Sequence, residues 1–358
     1  MEEIKSTPYS NLKIFAHADR LNKVRKGERV APIYIRIKPT NYCNHRCNYC
    51  SYADSELGLR DSVNYQDQIP WGKMKEIISD FGDIGVKAVT FSGGGEPLIY
   101  PYIIDTMRGM LDKGIQISII TNGQNLEGEA AKTLTKANWV RISMDSANAE
   151  TYSAIRKIPL SYFDKVCNNI DNFSKIKPSN CEFGINFVIN HQNYNQIFDM
   201  AKMVRELGVN HIKFAARITK DLHEYHEKFK DEAIQQIHES IDKLIKPGFS
   251  IINKYEEDFE TSMVFHRNYK KCFVQEVFGV IAADSKVYFC HDKAYVSSGV
   301  VGDLSQQSFK ELWFSKETQE RYKNFDARKE CNHHCVFDDR NMMLNSFMSL
   351  DENHINFI

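Results

Sequence analysis

Three cysteines lie within eight residues near the N-terminus, in the segment Cys43-Asn-His-Arg-Cys47-Asn-Tyr-Cys50. They follow an apolar stretch, 33–37, that is typical of a strand. This spacing lets one short loop direct three thiolates at a single iron–sulfur cluster and leaves one iron without a protein ligand. An iron with an open position can bind a substrate or a cofactor, so the triplet indicates chemistry more than architecture.

Two other interpretations of this triplet stay open at the level of the residues. A structural zinc site normally has four ligands, and the triplet has no nearby fourth cysteine. His45 could be proposed, but it lies inside the tight loop, where simultaneous coordination is sterically awkward. The third interpretation is a set of unrelated buried thiols. The spacing favours the cluster over both.

A glycine run, Ser92-Gly-Gly-Gly95-Glu96-Pro97, follows a second apolar stretch at 88–91. Glycines allow the backbone to approach a ligand closely, and Glu96 can accept a hydrogen bond from an ammonium group. A phosphate-binding loop is the competing interpretation, but no Lys-Ser/Thr pair follows the glycines. The run therefore predicts a second part of the same site.

Short apolar runs alternate with helical periods from residue 33 onward. Near-continuous apolar strands separated by helices are typical of a parallel sheet covered by helices. Six repeats fall short of the eight of a full barrel, so the predicted fold is α/β, a partial (β/α)6 TIM-like barrel with functional loops at the carboxyl ends of its strands. The predicted strands are 33–37, 88–91, 115–120, 140–144, 183–189 and 211–216.

This pattern divides the chain into four predicted parts. Residues 1–30 form an N-terminal helical cap, 31–217 the barrel core, 218–265 a helical linker and 266–358 a small C-terminal iron–sulfur module. The linker is expected to contain one long amphipathic helix over 222–245, with its charges on a solvated face.

A second cysteine set lies in the C-terminal part: Cys272, Cys290, Cys331 and Cys335. Four thiolates can close a metal site completely, which suits either a second cluster or zinc. His333 and His334 could compete as ligands, and plain core cysteines are the third possibility. The two remaining cysteines, Cys167 and Cys181, are predicted to be small buried hydrophobic residues.

The cysteine loop, with Tyr49 before its last cysteine, resembles that of the radical S-adenosylmethionine (SAM) enzymes, and so does the Gly-Gly-Gly-Glu-Pro run. The resemblance implies a [4Fe–4S] cluster whose open iron is chelated by SAM. The reduced cluster then splits SAM, and the resulting 5′-deoxyadenosyl radical abstracts a hydrogen atom from the substrate. It also implies a flavodoxin- or ferredoxin-type electron donor.

The same resemblance assigns SAM contacts. Gly94, Gly95 and Glu96 are expected to hold the methionyl amine, and the backbone of Tyr49 is expected to meet the adenine. Further contacts are expected from polar residues at or after later strands, namely Asn122, Ser143, Asp145, Arg156 and Asn186. Among these, Ser143 is expected at the ribose.

Two arginines are singled out. Arg156 matches a family position that can pair with the SAM carboxylate. Arg217 closes the sixth predicted strand and is the candidate for anchoring the substrate, with a structural ion pair as the alternative.

The C-terminal cysteine region resembles the twitch module, the short version of the SPASM domain. Gly302-Asp-Leu-Ser followed by Phe309-Lys-Glu-Leu-Trp313 contributes to this likeness. The resemblance implies one auxiliary [4Fe–4S] cluster. The last two cysteines are separated by three residues, where two are more usual.

Composition narrows the class of protein. Among 358 residues, 46 basic and 47 acidic side chains leave a net charge of −1, which makes no broad electrostatic case for nucleic acid or anionic membrane. The N-terminus has no signal-peptide pattern, and no apolar run is long enough for a transmembrane helix. Nine cysteines, an odd number, favour a reducing compartment with cysteines as metal ligands, so a cytoplasmic metalloprotein is expected.

The leading expectation is a radical SAM oxidoreductase or lyase with two [4Fe–4S] clusters. Its predicted substrate is a polar small molecule, namely a sugar, nucleotide sugar or aminocyclitol, which undergoes dehydrogenation or deoxygenation/dehydration. Peptide-modifying relatives often carry a leader-binding domain, and only residues 1–30 precede the predicted barrel. The alternatives are a peptide- or protein-modifying maturase and, without catalysis, a zinc-stabilised binding protein.

Overall fold

One mixed sheet organises the protein. The computed structural model describes residues 10–53, 63–261, 266–332 and 335–357. The strands of the sheet are β1 (Tyr34–Ile37), β2 (Ala88–Phe91), β3 (Gln116–Thr121), β4 (Trp139–Ser143), β5 (Glu182–Ile189), β6 (His211–Ala216), β7 (Ser250–Asn253), β8 (Phe278–Ile281), β9 (Lys286–Tyr288) and β10 (Val300–Asp303). Their order across the sheet is β10-β9-β8-β1-β2-β3-β4-β5-β6-β7.

Helices connect the strands. They are α1 (Ala18–Arg25), α2 (Trp71–Ile84), α3 (Ile103–Asp112), α4 (Gly128–Leu134), α5 (Ala149–Arg156), α6 (Ser161–Ile176), α7 (Ile197–Glu206), α8 (Leu222–His226), α9 (Lys230–Leu244), α10 (Lys254–Thr261), α11 (Phe309–Phe314), α12 (Lys316–Asn324), α13 (Ala327–Glu330) and α14 (Asp338–Met348). Short 3₁₀ helices cover Asn11–His17, Pro97–Ile99, Tyr194–Gln196, Phe273–Glu276 and Ser297–Gly299.

The predicted fold class is confirmed. All pairs from β8 through β1 to β7 are parallel, and the two edge strands β7 and β10 are not neighbours in the strand order, so the barrel is open. Strands β2 and β6 have the predicted bounds, and the other four predicted strands agree to within one residue at each end. The apolar runs located them because each buries a face under the helices.

The predicted helical linker differs from the structure. The single helix expected over 222–245 is two helices, α8 and α9. At the end of α8, His226 turns inward, where it hydrogen-bonds the Tyr255 hydroxyl at 2.9 Å and the Arg217 carbonyl at 3.1 Å. Burial of this imidazole lowers its pKa to about 4, so it remains neutral at pH 7. After α9, β7 pairs in parallel with β6 and extends the barrel sheet. Ser250–Asn253, within the predicted linker, therefore belongs to the sheet.

The C-terminal module continues the barrel sheet. Its strand β8 pairs in parallel with β1, and β9 and β10 follow as antiparallel neighbours. Trp313 is fully buried and donates its indole N–H to the Val30 carbonyl at 2.8 Å. The Arg29 guanidinium lies 4.0 Å from the Trp313 ring centroid and 4.1 Å from that of Tyr322. The module is thus held against the start of the barrel by a shared sheet and a buried aromatic contact.

The core lies between the sheet and the helices. Side chains of one parity on the parallel strands are apolar and buried, and they pack with residues of α2, α3, α6 and α7 in one continuous cluster. They include Ile35, Val89, Ile117, Val140, Ile185 and Ile212. In the described part of the chain, no helix is both long and apolar enough to span a membrane.

Candidate active site

The loop with the first three cysteines follows β1 and lies against the end of α5. The Arg46 N–H donates to the Arg156 carbonyl at 2.9 Å, and the Asn48 N–H donates to the Ile155 carbonyl at 3.0 Å. Both acceptors lie in the last turn of α5, where carbonyls have no partner within the helix. The loop thereby obtains a fixed position at the carboxyl end of the barrel strands.

The glycine run crosses directly over the start of this loop. The Gly95 N–H donates to the Thr40 carbonyl at 2.9 Å, and the Glu96 N–H donates to the Tyr42 carbonyl at 2.7 Å. A Cβ atom on Gly95 would lie 1.7 Å from the Tyr42 carbonyl oxygen, so the two backbones can approach this closely only without a side chain there. Tyr42 precedes Cys43, and the turn therefore sets the position of the first cysteine.

The variant Gly95→Ala is expected to lose about 1–3 kcal/mol of unfolding free energy, because the added methyl group overlaps backbone that cannot move independently. Denaturant unfolding of the two proteins measures this. Gly93→Ala is the matched control, since its added Cβ would have its nearest neighbour at 3.2 Å. A Gly95→Ala protein as stable as Gly93→Ala would contradict the close approach.

Glu96 holds part of the fold together in addition to its predicted contact with the methionyl amine of SAM. The residue is 3% exposed, and its carboxylate accepts hydrogen bonds from the Leu98 N–H at 2.9 Å, the Thr121 hydroxyl at 2.6 Å and the Asn122 N–H at 2.7 Å. A carboxylate can accept about four such bonds, which leaves capacity for one more donor. The side chain thus joins the glycine turn to the end of β3, and its contact with an amine stays a prediction.

Asp145 and Arg156 form a buried ion pair beside the cysteine loop. One Asp145 carboxylate oxygen contacts both the Arg156 guanidinium and the Tyr49 hydroxyl, and the other accepts from the Val188 N–H at 2.9 Å. Asp145 is fully buried, so the structure places it beneath the site and not at its surface. A direct contact with SAM, as predicted for Asp145, would have to displace one of these partners. Its observed contacts instead orient Arg156 and Tyr49.

Arg156 also reaches the cysteine loop itself. Its Nη1 lies 3.6 Å from the Cys47 sulfur, and its Nε is a buried atom without a hydrogen-bond partner. Burial raises the pKa of the Cys47 thiol, and the Arg156 charge acts in the opposite direction. A fixed cation beside a sulfur favours the thiolate, which is the form that binds iron.

The structure brings the other predicted residues to the same rim. Asn122 donates its side-chain amide to the Asn44 side chain at 2.7 Å, inside the cysteine loop. Ser143 and Asn186 are register partners on β4 and β5 and are both half-buried. Arg217 follows β6 and donates to the Asn48 carbonyl at 3.3 Å. These four predicted residues therefore lie at or beside the rim, whereas their contacts with a ligand stay predictions.

The pKa of the Cys43 thiol is raised, as are those of the second cysteine set described below. Burial raises the pKa of Cys43 to about 12, and a backbone hydrogen bond from His45 partly offsets this. His45 itself faces the Gln124 side chain at 2.9 Å, and burial lowers its pKa to about 4. A buried thiol of this kind must lose its proton to bind iron, so cluster binding by Cys43 would be coupled to proton release.

The second set of cysteines comes from four separate segments. Cys272 precedes a 3₁₀ helix, Cys290 follows β9, Cys331 ends α13 and Cys335 precedes α14. Burial raises the pKa of all four thiols, to about 11 for Cys331 and about 12 for Cys335.

Backbone N–H groups point at three of these sulfurs. The donors are Gln275 and Val274 for Cys272, Lys293 for Cys290 and Phe337 for Cys335, and each lowers the pKa of its thiol against the effect of burial. Such N–H···S bonds are one means by which proteins tune iron–sulfur clusters. The donor set fits a cluster.

The positions of the described side chains also bear on whether a single metal ion could bind instead of a cluster. Within the residues that the structure covers, no three His, Cys, Asp or Glu side chains converge closely enough to hold one metal ion. The ligands of a four-iron cluster are spread around a larger body than those of one ion. The competing ligands His333 and His334 lie outside the described residues.

Sequence reasoning missed the contacts between the two cysteine sites. Lys38 is fully buried and donates to the Tyr52 hydroxyl and the Gly93 carbonyl, and its Nζ lies 3.4 Å from His291 Nδ1. His291 follows Cys290, whereas Gly93 begins the glycine run. A lysine directly after the apolar β1 strand was the available signal in the sequence, but its partners are 14 to 253 residues away.

Comparison with known proteins identifies the class. Residues 37–204 match the model of the radical SAM superfamily, and residues 272–336 match that of the SPASM iron–sulfur cluster-binding domain. The chain therefore contains a radical SAM domain and a SPASM domain, as the resemblance predicted.

Solved structures share the fold. Streptococcus suis SuiB bound to S-adenosylmethionine superimposes with a TM-score of 0.62 at 16% identity, over 91% of this chain and 75% of that one. Native anSMEcpe with bound AdoMet gives a TM-score of 0.58 at 18% identity, over 88% of this chain and 96% of that one. At these identities the likeness establishes the fold alone.

Curated relatives match half of the chain. The AdoMet-dependent heme synthase of Methanosarcina barkeri is 29% identical over 180 residues, which is 50% of this chain and 48% of that protein. A probable GTP 3′,8-cyclase of Saccharolobus islandicus is 28% identical over 180 residues, 50% of this chain and 54% of that protein. The matched segment spans about half the length of these relatives.

Proposed function

We propose that this protein cleaves SAM reductively and uses the 5′-deoxyadenosyl radical to oxidise or dehydrate a polar small molecule, in the class of sugars, nucleotide sugars and aminocyclitols. The observation that carries this proposal is the arrangement at the barrel rim. The loop of Cys43, Cys47 and Cys50 is bonded on one side to the turn at Gly95 and on the other to the end of α5, with Arg156 beside the Cys47 sulfur.

The residues that would hold the cofactors follow from this arrangement. The three thiolates would bind a [4Fe–4S] cluster, and the backbone of Gly94 and Gly95 with Glu96 would bind the methionyl amine of SAM. Buried polar atoms without partners surround the loop, namely His45 Nδ1, Asn48 Oδ1, Ser92 Oγ and Arg156 Nε, which suits a polar ligand. When bound, the cluster and SAM supply one-electron cleavage of the sulfonium.

The protein's own contribution is positioning. Tyr49 and Ser143 would contact the adenosine portion of SAM, and Arg156, held by Asp145, would face its carboxylate. Arg217 is bound to the cysteine loop through the Asn48 carbonyl and would hold the substrate beside the cofactor. Holding the reacting atoms at short range is the main way in which a protein accelerates such chemistry.

A second [4Fe–4S] cluster is proposed on Cys272, Cys290, Cys331 and Cys335. Four thiolates leave no open iron, so its role would be electron transfer. The buried contact from the Gly93 carbonyl through Lys38 to His291, next to Cys290, supports this role because it joins the two sites through packed protein. A flavodoxin- or ferredoxin-type protein would supply the reducing electron.

The small-molecule class is supported by the interior of the barrel. Thr90 and Ser118 face it with their hydroxyls 2.6 Å apart, and Asn186 lies on the same face of the sheet. Hydroxyl and amide groups are suited to a substrate rich in hydroxyls. Two of the curated relatives are also named for small-molecule products or substrates, heme and GTP.

Peptide modification is the second candidate. It is favoured by the solved structure of SuiB bound to its precursor peptide SuiA, which has the same fold with a TM-score of 0.60. Fold likeness is a weak guide to substrate, since one fold serves many reactions.

The test is turnover by the anaerobically reconstituted, chemically reduced protein with SAM. Nucleotide sugars and candidate peptides are offered in parallel, and products are analysed by mass spectrometry. We expect 5′-deoxyadenosine together with loss of two hydrogen atoms or one water molecule from a sugar compound. A change in peptide mass without sugar turnover would replace the first candidate by the second. Zinc-loaded protein that never acquires iron–sulfur absorption would reject both.

A further inference from the structure

The inner face of the barrel sheet is polar, in contrast to a typical barrel. The registers of β1 to β6 place Arg36, Thr90, Ser118, Arg141, Asn186 and Lys213 on the face opposite the apolar core. Full TIM barrels fill this interior with bulky branched side chains. The polar interior therefore needs an explanation other than packing.

Three of these side chains are cations: Arg36 on β1, Arg141 on β4 and Lys213 on β6. All three residues are half-buried. None of them forms an ion pair in the part of the chain that the structure describes. The Nε atoms of Arg36 and Arg141 are buried and have no hydrogen-bond partner. Unsatisfied buried donors are rare in proteins, which indicates that a ligand supplies the acceptors.

The curvature of the sheet brings the three cations together. β1 and β6 are five strands apart, which would be about 24 Å in a flat sheet. Nevertheless, the Arg217 guanidinium, just after β6, donates to the Asn48 carbonyl in the loop after β1 at 3.3 Å, so the sheet curves round and brings these strands towards each other. In agreement with this, burial first and then the charge of Arg141, with smaller effects from Lys254 and Arg36, lower the pKa of Lys213 to about 7. The three side chains therefore share one interior space.

Two carboxylates face this group. Asp258, on α10, acts on Lys213, and it also accepts from the Ala216 N–H at 3.0 Å. Asp292, next to His291, acts on Arg36 at longer range. Lys254 adds a further positive charge near Lys213. Lys254 itself is ion-paired with Glu257. Arg36, Arg141 and the partly protonated Lys213 therefore face two carboxylates, which leaves the interior slightly positive.

We propose that Arg36, Arg141 and Lys213 bind an anionic group of the substrate, a phosphate or a carboxylate, inside the barrel. The inference deepens the proposed function and rests on it, because the anion would fix the substrate beneath the SAM site. Arginine forks match carboxylate and phosphate oxygens geometrically, and lysine adds a compact charge. A phosphate fits a nucleotide sugar, whereas a carboxylate fits an acidic substrate.

The test uses reconstituted full-length protein saturated with SAM, with pyrophosphate and succinate as separate probes in calorimetric titrations. We expect at least one probe to bind the wild type, and binding to weaken about tenfold or more in Arg141→Gln and in Lys213→Gln. The matched control is Lys132→Gln, an exposed lysine outside the barrel interior, which should bind within about twofold of wild type. The probe that binds more tightly identifies the anion class.

A second measurement does not depend on the folding of variants. Acetic anhydride labels neutral lysine side chains, and mass spectrometry reports the labelling of Lys213 and Lys132 in the wild type. The bound probe should slow labelling of Lys213 by about tenfold and leave Lys132 unchanged.

The outcomes separate this inference from the proposed function. If neither probe binds or protects Lys213 while the protein produces 5′-deoxyadenosine from SAM, the anion site is wrong and the radical chemistry stands. If a probe binds and depends on Arg141 and Lys213 but SAM is never cleaved, the anion site stands and the proposed function is wrong. Binding that is equally strong in Arg141→Gln, Lys213→Gln and Lys132→Gln also overturns the anion site.

Discussion

Cys47→Ala is expected to reduce 5′-deoxyadenosine formation from SAM by more than about 100-fold, while the fold stays intact. Loss of an outer partner of a metal ligand already costs about 10–100-fold, so loss of a ligand itself must cost more. Cys47 is the cysteine that Arg156 contacts, at 3.6 Å from its Nη1. The measurement is chromatographic quantification of 5′-deoxyadenosine from anaerobic, reduced protein, with circular dichroism to verify folding.

Two other cysteine variants make this result specific. Cys335→Ala removes a thiol from the second set and is expected to spare SAM cleavage while impairing substrate turnover. Cys167→Ala, a half-buried helix residue outside both sets, should change neither. Unchanged cleavage in Cys47→Ala would refute its assignment, and equal loss of both activities in Cys335→Ala would show that the second site is structural.

The barrel strands could be predicted because each carries its signal locally. Strands β2 and β6 are short segments in which apolar residues are frequent enough to mark the buried face, and the sequence locates both to the residue. The sequence does not predict β7, because its pairing with β6 depends on the folded barrel and not on a local pattern. Ser250–Asn253 is short, half-exposed and follows a charged helix.

Long-range pairing accounts for what the sequence did not show at the site. The motifs at the predicted strand ends place the cysteines and the glycine turn on one rim, as the structure has them. The partner of Arg156 was not predicted, since an arginine eleven residues after Asp145 has no local pattern that pairs the two. The contact of Lys38 with His291 spans 253 residues and depends on β8 pairing with β1. Such contacts depend on how distant strands and helices pack together in the folded protein, so no single segment predicts them.

The buried pair of Arg156 and Asp145 leads to the second large expected effect. Arg156→Gln should lower the unfolding free energy by about 3–5 kcal/mol, because it leaves the Asp145 carboxylate buried without its counter-charge. The side chains of the two residues are 4% and 0% exposed. The remaining Asp145 partners, the Tyr49 hydroxyl and the Val188 N–H, are neutral donors. Denaturant unfolding of wild type and variant measures the difference.

Arg108→Gln is the matched control because it breaks the ion pair with Glu129, whose side chains are 50% and 54% exposed, and should cost at most about 1 kcal/mol. The double variant Asp145→Asn/Arg156→Gln separates charge from packing. It removes both charges, and the Asn side chain keeps one oxygen that accepts from the Val188 N–H and an amide group that can donate to the Tyr49 hydroxyl. The double variant should therefore recover more than half of the lost stability. A double variant as unstable as Arg156→Gln alone would assign the loss to packing of the arginine, and the electrostatic account of this pair would fail.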